Sequence, residues 1–161
     1  MTENDFICAL RRNKQRLFLI ALAFTKSQND AEDIIQNVFL KLWKYPKVFK
    51  NEENMDKWLT LVCVNESKNY IKLFFRNHLN IDDTDIVSPQ IFDTSQQRDL
   101  FNAVMDLPKK ERTVIHLFYY EDLSVKDIAG ILKINESAVK TRLCRARQKL
   151  KERLGDDWIN E

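Results

Sequence analysis

The sequence predicts an all-α protein of two small helical domains joined by a flexible linker, the C-terminal one a helix-turn-helix. Three observations carry that expectation. Only two glycines (Gly130, Gly155) and three prolines (Pro46, Pro89, Pro108) occur in 161 residues, so little interrupts long helices. Apolar residues recur every three or four positions in both halves of the chain, the period of a helix with one buried face. Between the halves lies an acidic stretch with no clear period. The domains are placed at 1–76 and 96–161, and the linker at 77–95.

Composition narrows the function. A chain that is 44% hydrophobic and 31% charged has the make-up of a globular protein, not a disordered one. No apolar run approaches the roughly 20 residues that cross a bilayer. The N-terminal "MTENDFICALRR" is acidic before it is basic and lacks the apolar core of a signal peptide, so no membrane insertion and a cytoplasmic location are expected. Three cysteines (Cys8, Cys63, Cys144) are odd in number and far apart, which argues against a disulfide framework. With only His78 and His116 beside them, no metal-ligand spacing appears, and no metal or cofactor is expected. Two distant glycines cannot form a phosphate-cradling loop. Nothing pairs a nucleophile with a base, so no catalytic residue is assigned and a binding protein is expected rather than an enzyme.

The net charge of +2 conceals an uneven distribution. Residues 1–76 carry 13 basic and 9 acidic groups, residues 77–106 one basic and six acidic, and residues 107–161 twelve basic and nine acidic. Within the last part, Lys133 to Arg153 holds eight basic groups against two acidic ones. Two basic lobes about an acidic connector suggest two sites on one polyanion. The connector, rich in Asp, Ser, Thr and Asn, would reach roughly 65–70 Å if fully extended.

In the first half, Leu10, Leu17, Ile20, Ala21 and Phe24 follow a helical period between Phe6 and Phe24. Asp30 suits the cap of a second helix, whose buried stripe is Ala31, Ile34, Ile35, Val38, Phe39 and Leu42. Its opposite face presents Asp33, Gln36, Asn37 and Leu40, which suits either ordinary exposure or a partner helix. After the loop "YPKVFKNEEN", the stretch from Met55 to Arg76 is apolar almost all round at "WLTLVCV", where a buried strand competes with a helix; its length favours the helix. Asn65, Asn69, Lys72 and Arg76 share one stripe of it, with amides able to bond base edges and cations able to neutralise phosphate. A merely solvated face is the competing reading.

In the second half, Pro108 opens a helix with Val114, Ile115, Leu117 and Phe118 inward. Ser124 caps a short helix, Val125 to Leu132, with Ile128 and Leu132 facing the core. The turn "KIN" carries Ile134 inward, and Asn135 caps a basic helix. Short helix, brief turn and basic helix read as a helix-turn-helix. The last helix buries Val139, Leu143, Ala146 and Leu150, and turns Ser137, Lys140, Thr141, Cys144, Arg145 and Gln148 outward. Arg142, Arg147, Lys149 and Lys151 flank that face and suit phosphates. An acidic protein or a membrane surface is the alternative ligand for such a helix.

Taken in order, "DAEDIIQNVFLKLWK", "WLTLVCVNESKNYIK" and "EDLSVKDIAGILKINESAVKTRLCRARQKLKE" resemble the two DNA-binding domains of an extracytoplasmic-function (ECF) type sigma factor of bacterial RNA polymerase. The match runs from about Leu17 to Leu154 apart from the linker. It implies a factor that binds core RNA polymerase and directs promoter recognition, strand opening and initiation. Asp33, Gln36, Asn37 and Leu40 would meet the clamp helices of the largest subunit. Asn65, Asn69, Lys72 and Arg76 would hold the opened −10 element. Ser137, Lys140, Thr141, Cys144, Arg145 and Gln148 would read the −35 element, with the polymerase flap as a further contact. An anti-sigma partner is also implied. Three positions depart from the family pattern: Asn37 stands where an acidic residue is usual, Asn69 where Asp is usual, and Lys133 where Gly is frequent. The competing readings are a stand-alone helix-turn-helix regulator with an N-terminal interaction domain, and a protein-interaction module that uses its basic helix on an acidic partner.

Overall fold

A computed structural model describes residues 1–77 and 92–156; the side chains of residues 75–77 are not among those described. The chain divides into two compact units, Met1–Thr84 and Asp85–Glu161. The first holds α1 (Glu3–Thr25), α2 (Gln28–Trp43) and α3 (Glu52–Asn77). The second holds α4 (Ser95–Met105), α5 (Lys109–Tyr119), α6 (Val125–Leu132) and α7 (Glu136–Leu154). No strand occurs among the described residues, and the two strand-prone stretches lie inside α3 and α5. Of the expected linker, positions 77 and 95 fall in helices, and residues 78–91 lie outside the described residues.

In the first unit, α1 begins with a reciprocal cap. Thr2 Oγ1 accepts from the Asp5 N–H at 3.1 Å, and the Asp5 carboxylate accepts from the Thr2 N–H at 3.2 Å. The three helices close over Leu17, Ile20, Leu22, Ile34, Val38, Leu42, Leu59 and Cys63, all buried. A polar seam joins α1 to α3. Buried Asn13 donates to Ala9 O (3.0 Å) and to the Asp56 carboxylate (3.1 Å), and accepts from Arg16 Nη2 (2.8 Å). Arg16 also donates to Thr60 Oγ1 at 2.5 Å, and Arg12 to Asp56 at 2.9 Å. Each buried polar atom of the seam thereby finds a partner, which the low-polarity interior demands. The Asp56 bond raises the Arg12 pKa further.

The cap of α2 differs from expectation. Ser27, not Asp30, precedes the helix, and its hydroxyl accepts from the Asp30 N–H at 3.2 Å. Asp30 is thereby one turn inside, where its carboxylate accepts the Tyr70 hydroxyl of α3 at 2.5 Å. Burial, and then that bond to a carboxylate, push the Tyr70 pKa to about 12. Leu61 of the apolar run in α3 is exposed, so the run is less buried than its composition suggests.

In the second unit, α4 has no counterpart in the sequence-based expectations. Thr94 and Gln97 cap it reciprocally. The core gathers Phe101, Ile115, Leu117, Ile128, Val139, Leu143, Ala146 and Leu150. Leu132, Ile134 and Phe118 are half-buried rather than fully inward. Pro108 is the cap residue of α5 and supplies no side-chain bond to it. Ser124 and Asn135 cap α6 and α7 as expected, accepting from the N–H groups of Asp127 (3.0 Å) and Ala138 (2.7 Å). Between them the chain reverses at Lys133, which adopts the left-handed conformation at φ 57°. His116 of α5 is 1% exposed and stacks on Tyr120 at 4.9 Å between ring centroids. Neither of its ring nitrogens has a hydrogen-bond partner among the described residues. Burial alone lowers its pKa to about 4.

Candidate nucleic-acid interface

A helix repeats about every 3.6 residues, so two side-chain sets can share it without mixing. In α7, Val139, Leu143, Ala146 and Leu150 are all buried. Ser137, Lys140, Thr141, Cys144, Arg145 and Gln148 are turned to the other side, and each keeps part or most of its surface in solvent. The expected reading face therefore exists as one surface. Within it the Thr141 hydroxyl donates back to Ser137 O at 3.0 Å, which fixes its rotamer.

The flanking cations divide into two groups. Lys149 Nζ donates to the Glu111 carboxylate at 2.8 Å, and Glu111 is only 8% exposed. Arg147 donates from Nε to the Tyr119 hydroxyl at 2.9 Å and lies over the Phe118 and Tyr119 rings. Arg153 pairs with Asp106 at the end of α4, and Lys151 with Asp156 at 3.2 Å. These four stitch the C-terminal half of α7 to its surroundings. Of the four cations expected to flank the reading face, three (Arg147, Lys149, Lys151) therefore have partners within the unit. Lys140, Arg142 and Arg145, in the first half of α7, have no ion-pair partner among the described residues. The cations without ion-pair partners among the described residues therefore lie in the N-terminal half of α7, beyond its first turn.

In the first unit, Asp33, Gln36, Asn37 and Leu40 form one stripe on α2, with Leu40 54% exposed. Its apolar part extends further than spacing indicated. Trp43 is 52% exposed, and its ring meets that of Phe6 from α1 edge-on at 5.1 Å. On α3, Asn65, Asn69 and Lys72 lie along one solvent-facing stripe. Arg76 lies in the same helix, but its side chain is outside those described. Exposed Leu61 and Leu73 (58%) bracket the stripe. Tyr45, Phe49 and Trp58 form an aromatic cluster at the start of α3, with Tyr45 and Phe49 stacked at 4.6 Å. Of these aromatic residues only Trp58, in the apolar run of α3, has a place in the sequence-based expectations. The available signal was three aromatics within fourteen positions around a proline.

Among the described residues no group of His, Cys, Asp or Glu is arranged to hold a metal ion. None of the described helices is long and apolar enough to cross a membrane.

Residues 9–73 match the family model described as Sigma-70 region 2, and residues 97–150 match Sigma-70, region 4. The chain is similar to RNA polymerase sigma factor SigV of Bacillus subtilis, with 29% identity over 90% of this chain and 88% of that one. It is also similar to the ECF RNA polymerase sigma-E factor of Haemophilus influenzae, with 28% identity over 80% and 76% of the two chains. Among solved structures it resembles the sigma factor RpoE of Bartonella quintana, co-crystallised with the anti-sigma factor NepR. That match has a TM-score of 0.76 at 25% identity and covers 95% of this chain and 98% of that one. CnrH, solved with the cytosolic domain of CnrY, shares the fold at a TM-score of 0.61 and 21% identity over 97% and 91%. With both DNA-binding regions present in the family's order, the chain belongs to the sigma-70 family as a sigma factor of the ECF type.

Proposed function

We propose that this chain directs core RNA polymerase to promoters by dividing the work between its two units. The α2 stripe of Asp33, Gln36, Asn37 and Leu40 docks on the polymerase clamp helices, with Leu40 as its apolar anchor. Asn65, Asn69, Lys72 and Arg76 on α3 hold the separated −10 strand. Ser137, Lys140, Thr141, Cys144, Arg145 and Gln148 on α7 read the −35 duplex. Binding energy from bases captured out of the stack offsets the pairing lost on opening. An anti-sigma protein holds the factor inactive until released, a reading supported by the RpoE–NepR complex.

The observation that carries the reading is the composition of α7. Its outward face joins hydrogen-bonding groups of differing size to cations without ion-pair partners among the described residues, inside a helix-turn-helix. Base edges and phosphates require those two kinds of group together. Run-off transcription with purified core polymerase from a compatible host, over a promoter library, tests it. Initiation at a defined set of promoters only when the folded factor is added is the expected result. No initiation above core alone would sink the reading. Specific duplex binding without polymerase would support a stand-alone regulator instead.

A further inference from the structure

Two polar contacts tie α2 to α3, and neither follows from helical spacing. Lys41 pairs with Glu66, whose side chain is 16% exposed. The Tyr70 hydroxyl donates to the Asp30 carboxylate at 2.5 Å. On α2, Asp30 and Lys41 lie about three helical turns apart, so they share one side of that helix. On α3, Glu66 and Tyr70 stand at i and i+4 and share a side as well. Each directly follows an asparagine of the exposed stripe: Asn65 precedes Glu66, and Asn69 precedes Tyr70. The ties therefore lie about 100° round the helix from the groups proposed to hold the −10 strand.

The apolar footing of α3 is thin along this stretch. From Asn65 to Phe74 only Ser67 and Ile71 are buried. Ser67 is small, and its hydroxyl donates within the helix, to Cys63 O at 2.7 Å. The larger buried groups, Leu59, Cys63 and Val64, lie before the stripe. Apolar contact is non-directional, and one isoleucine with one serine offers little interlocking against roll of the helix about its axis. The two polar contacts are directional and oppose that roll. Its scale decides whether this matters. A side-chain tip about 6 Å from the axis moves about 1–2 Å when a helix turns by 10–20°. That exceeds the roughly 0.5 Å within which a binding constellation must be held.

We propose that Glu66 and Tyr70 are positioning residues for strand opening: held by Lys41 and Asp30, they fix the roll of α3 and so aim Asn65, Asn69 and Lys72 at the separated strand. The inference rests on the proposed function of α3 and names the residues that set its aim. Glu66 and Tyr70 act through α2 and touch no DNA themselves. A partly exposed ion pair contributes little to stability, so its effect is read in strand binding rather than in the melting temperature.

The test uses the full chain assembled with core polymerase, and single-stranded oligonucleotides spanning the −10 element of a promoter that the holoenzyme uses. Lys41→Glu and Glu66→Lys each set like charges opposite one another, and the two together restore an opposite pair. Tyr70→Phe removes the hydroxyl and keeps the ring. Thermal melts confirm that each variant is folded at the assay temperature. Each single variant is expected to weaken oligonucleotide binding roughly three- to tenfold, the contribution of about one hydrogen bond, with core affinity unchanged. The exchanged pair is expected to recover most of the parent affinity, as two coupled residues should. A reversed charge that touched DNA or polymerase directly would not be repaired by reversing its neighbour. Weakened single variants without recovery in the exchanged pair would therefore overturn the inference, and so would a matching loss of core affinity. Unchanged binding in all three single variants, with binding lost in Asn65→Ala with Asn69→Ala, would overturn it and leave the function of α3 standing. No effect of the asparagine pair either would overturn both. Should a charge reversal fail to fold, Glu66→Gln and Tyr70→Phe decide by the same readout.

Discussion

The two units use positive charge in opposite ways. In the first, Arg12 and Arg16 of α1 are turned to α3, where Asp56 and Thr60 engage them, and Asn13 of α1 itself holds Arg16 in place. The outward stripes then mix apolar, amide and single charged groups: Leu40 and Trp43 with Asp33 on α2, Asn65 and Asn69 with Lys72 on α3. In the second unit α7 does both at once. Its C-terminal half is tied inward through Arg147, Lys149 and Arg153, while its N-terminal half leaves Lys140, Arg142 and Arg145 without ion-pair partners among the described residues. The difference matches the ligands proposed for each. Duplex DNA presents a dense row of charge, for which free cations are needed. A protein helix and unstacked bases also present apolar and amide groups, which Leu40 and the α3 asparagines suit, while Lys72 serves the phosphates of the separated strand.

Four measurements break or sharpen that comparison, beginning with the largest effect. The units differ in acid sensitivity through His116. Its folded pKa of about 4 lies below its ordinary value of 6.5, so the unfolded chain binds more protons between these values. The contribution is complete above pH 6.5 and is lost as pH falls through about 4. The loss is on the order of 3 kcal/mol at most. Hydrogen exchange of the full chain at pH 7 and pH 4 should show protection falling in α5 before α1. His116→Leu should flatten that pH dependence, and equal loss in both units in the parent chain would contradict the assignment.

Next, Lys140→Ala with Arg145→Ala should reduce promoter binding by the holoenzyme at least tenfold, since each base contact contributes about 1–3 kcal/mol of discrimination. Preference among −35 variants should relax in parallel, while affinity for core polymerase stays unchanged. Leu40→Ala should do the reverse. Truncation of a central apolar anchor costs about 1–2 kcal/mol, so core affinity should fall roughly tenfold with −35 preference intact. Titration of labelled core polymerase separates the two, and a Leu40 variant that binds core normally removes α2 from the docking surface.

The smallest effects concern the second unit's own stability. A side chain at Gly130, within α6, would meet nothing within 4 Å. Gly130→Ala should therefore stabilise the unit by about 0.8–1 kcal/mol through helix propensity. At Lys133, with φ at 57°, relief of the left-handed penalty outweighs the added chain entropy of glycine. Lys133→Gly should stabilise by about 0.5 kcal/mol. Urea denaturation reads both, and promoter assays show whether either gain alters function.

Much of the fold is legible in the sequence because it is local. Helical period alone assigns Val139, Leu143, Ala146 and Leu150 to the core and the other α7 stripe to solvent, since a helix fixes which residues share a face. The caps at Ser124 and Asn135 are equally local, as a cap spans only three positions. The α2 cap is the exception. Ser27 and Asp30 both suit the role, and Asp30 is engaged instead by Tyr70, forty residues away.

By itself, then, the sequence determined the helices other than α4, most of their buried faces and the family to which they belong, because each follows from spacing within a segment or from the order of motifs. The tertiary structure alone decided which cations are free. Lys149 finds Glu111, Arg147 finds Tyr119 and Arg153 finds Asp106 only after α4, α5 and α7 pack together. A charge is available to a ligand only if no nearer opposite charge claims it. Nearness across 28 to 47 residues is a property of the fold rather than of spacing along the chain.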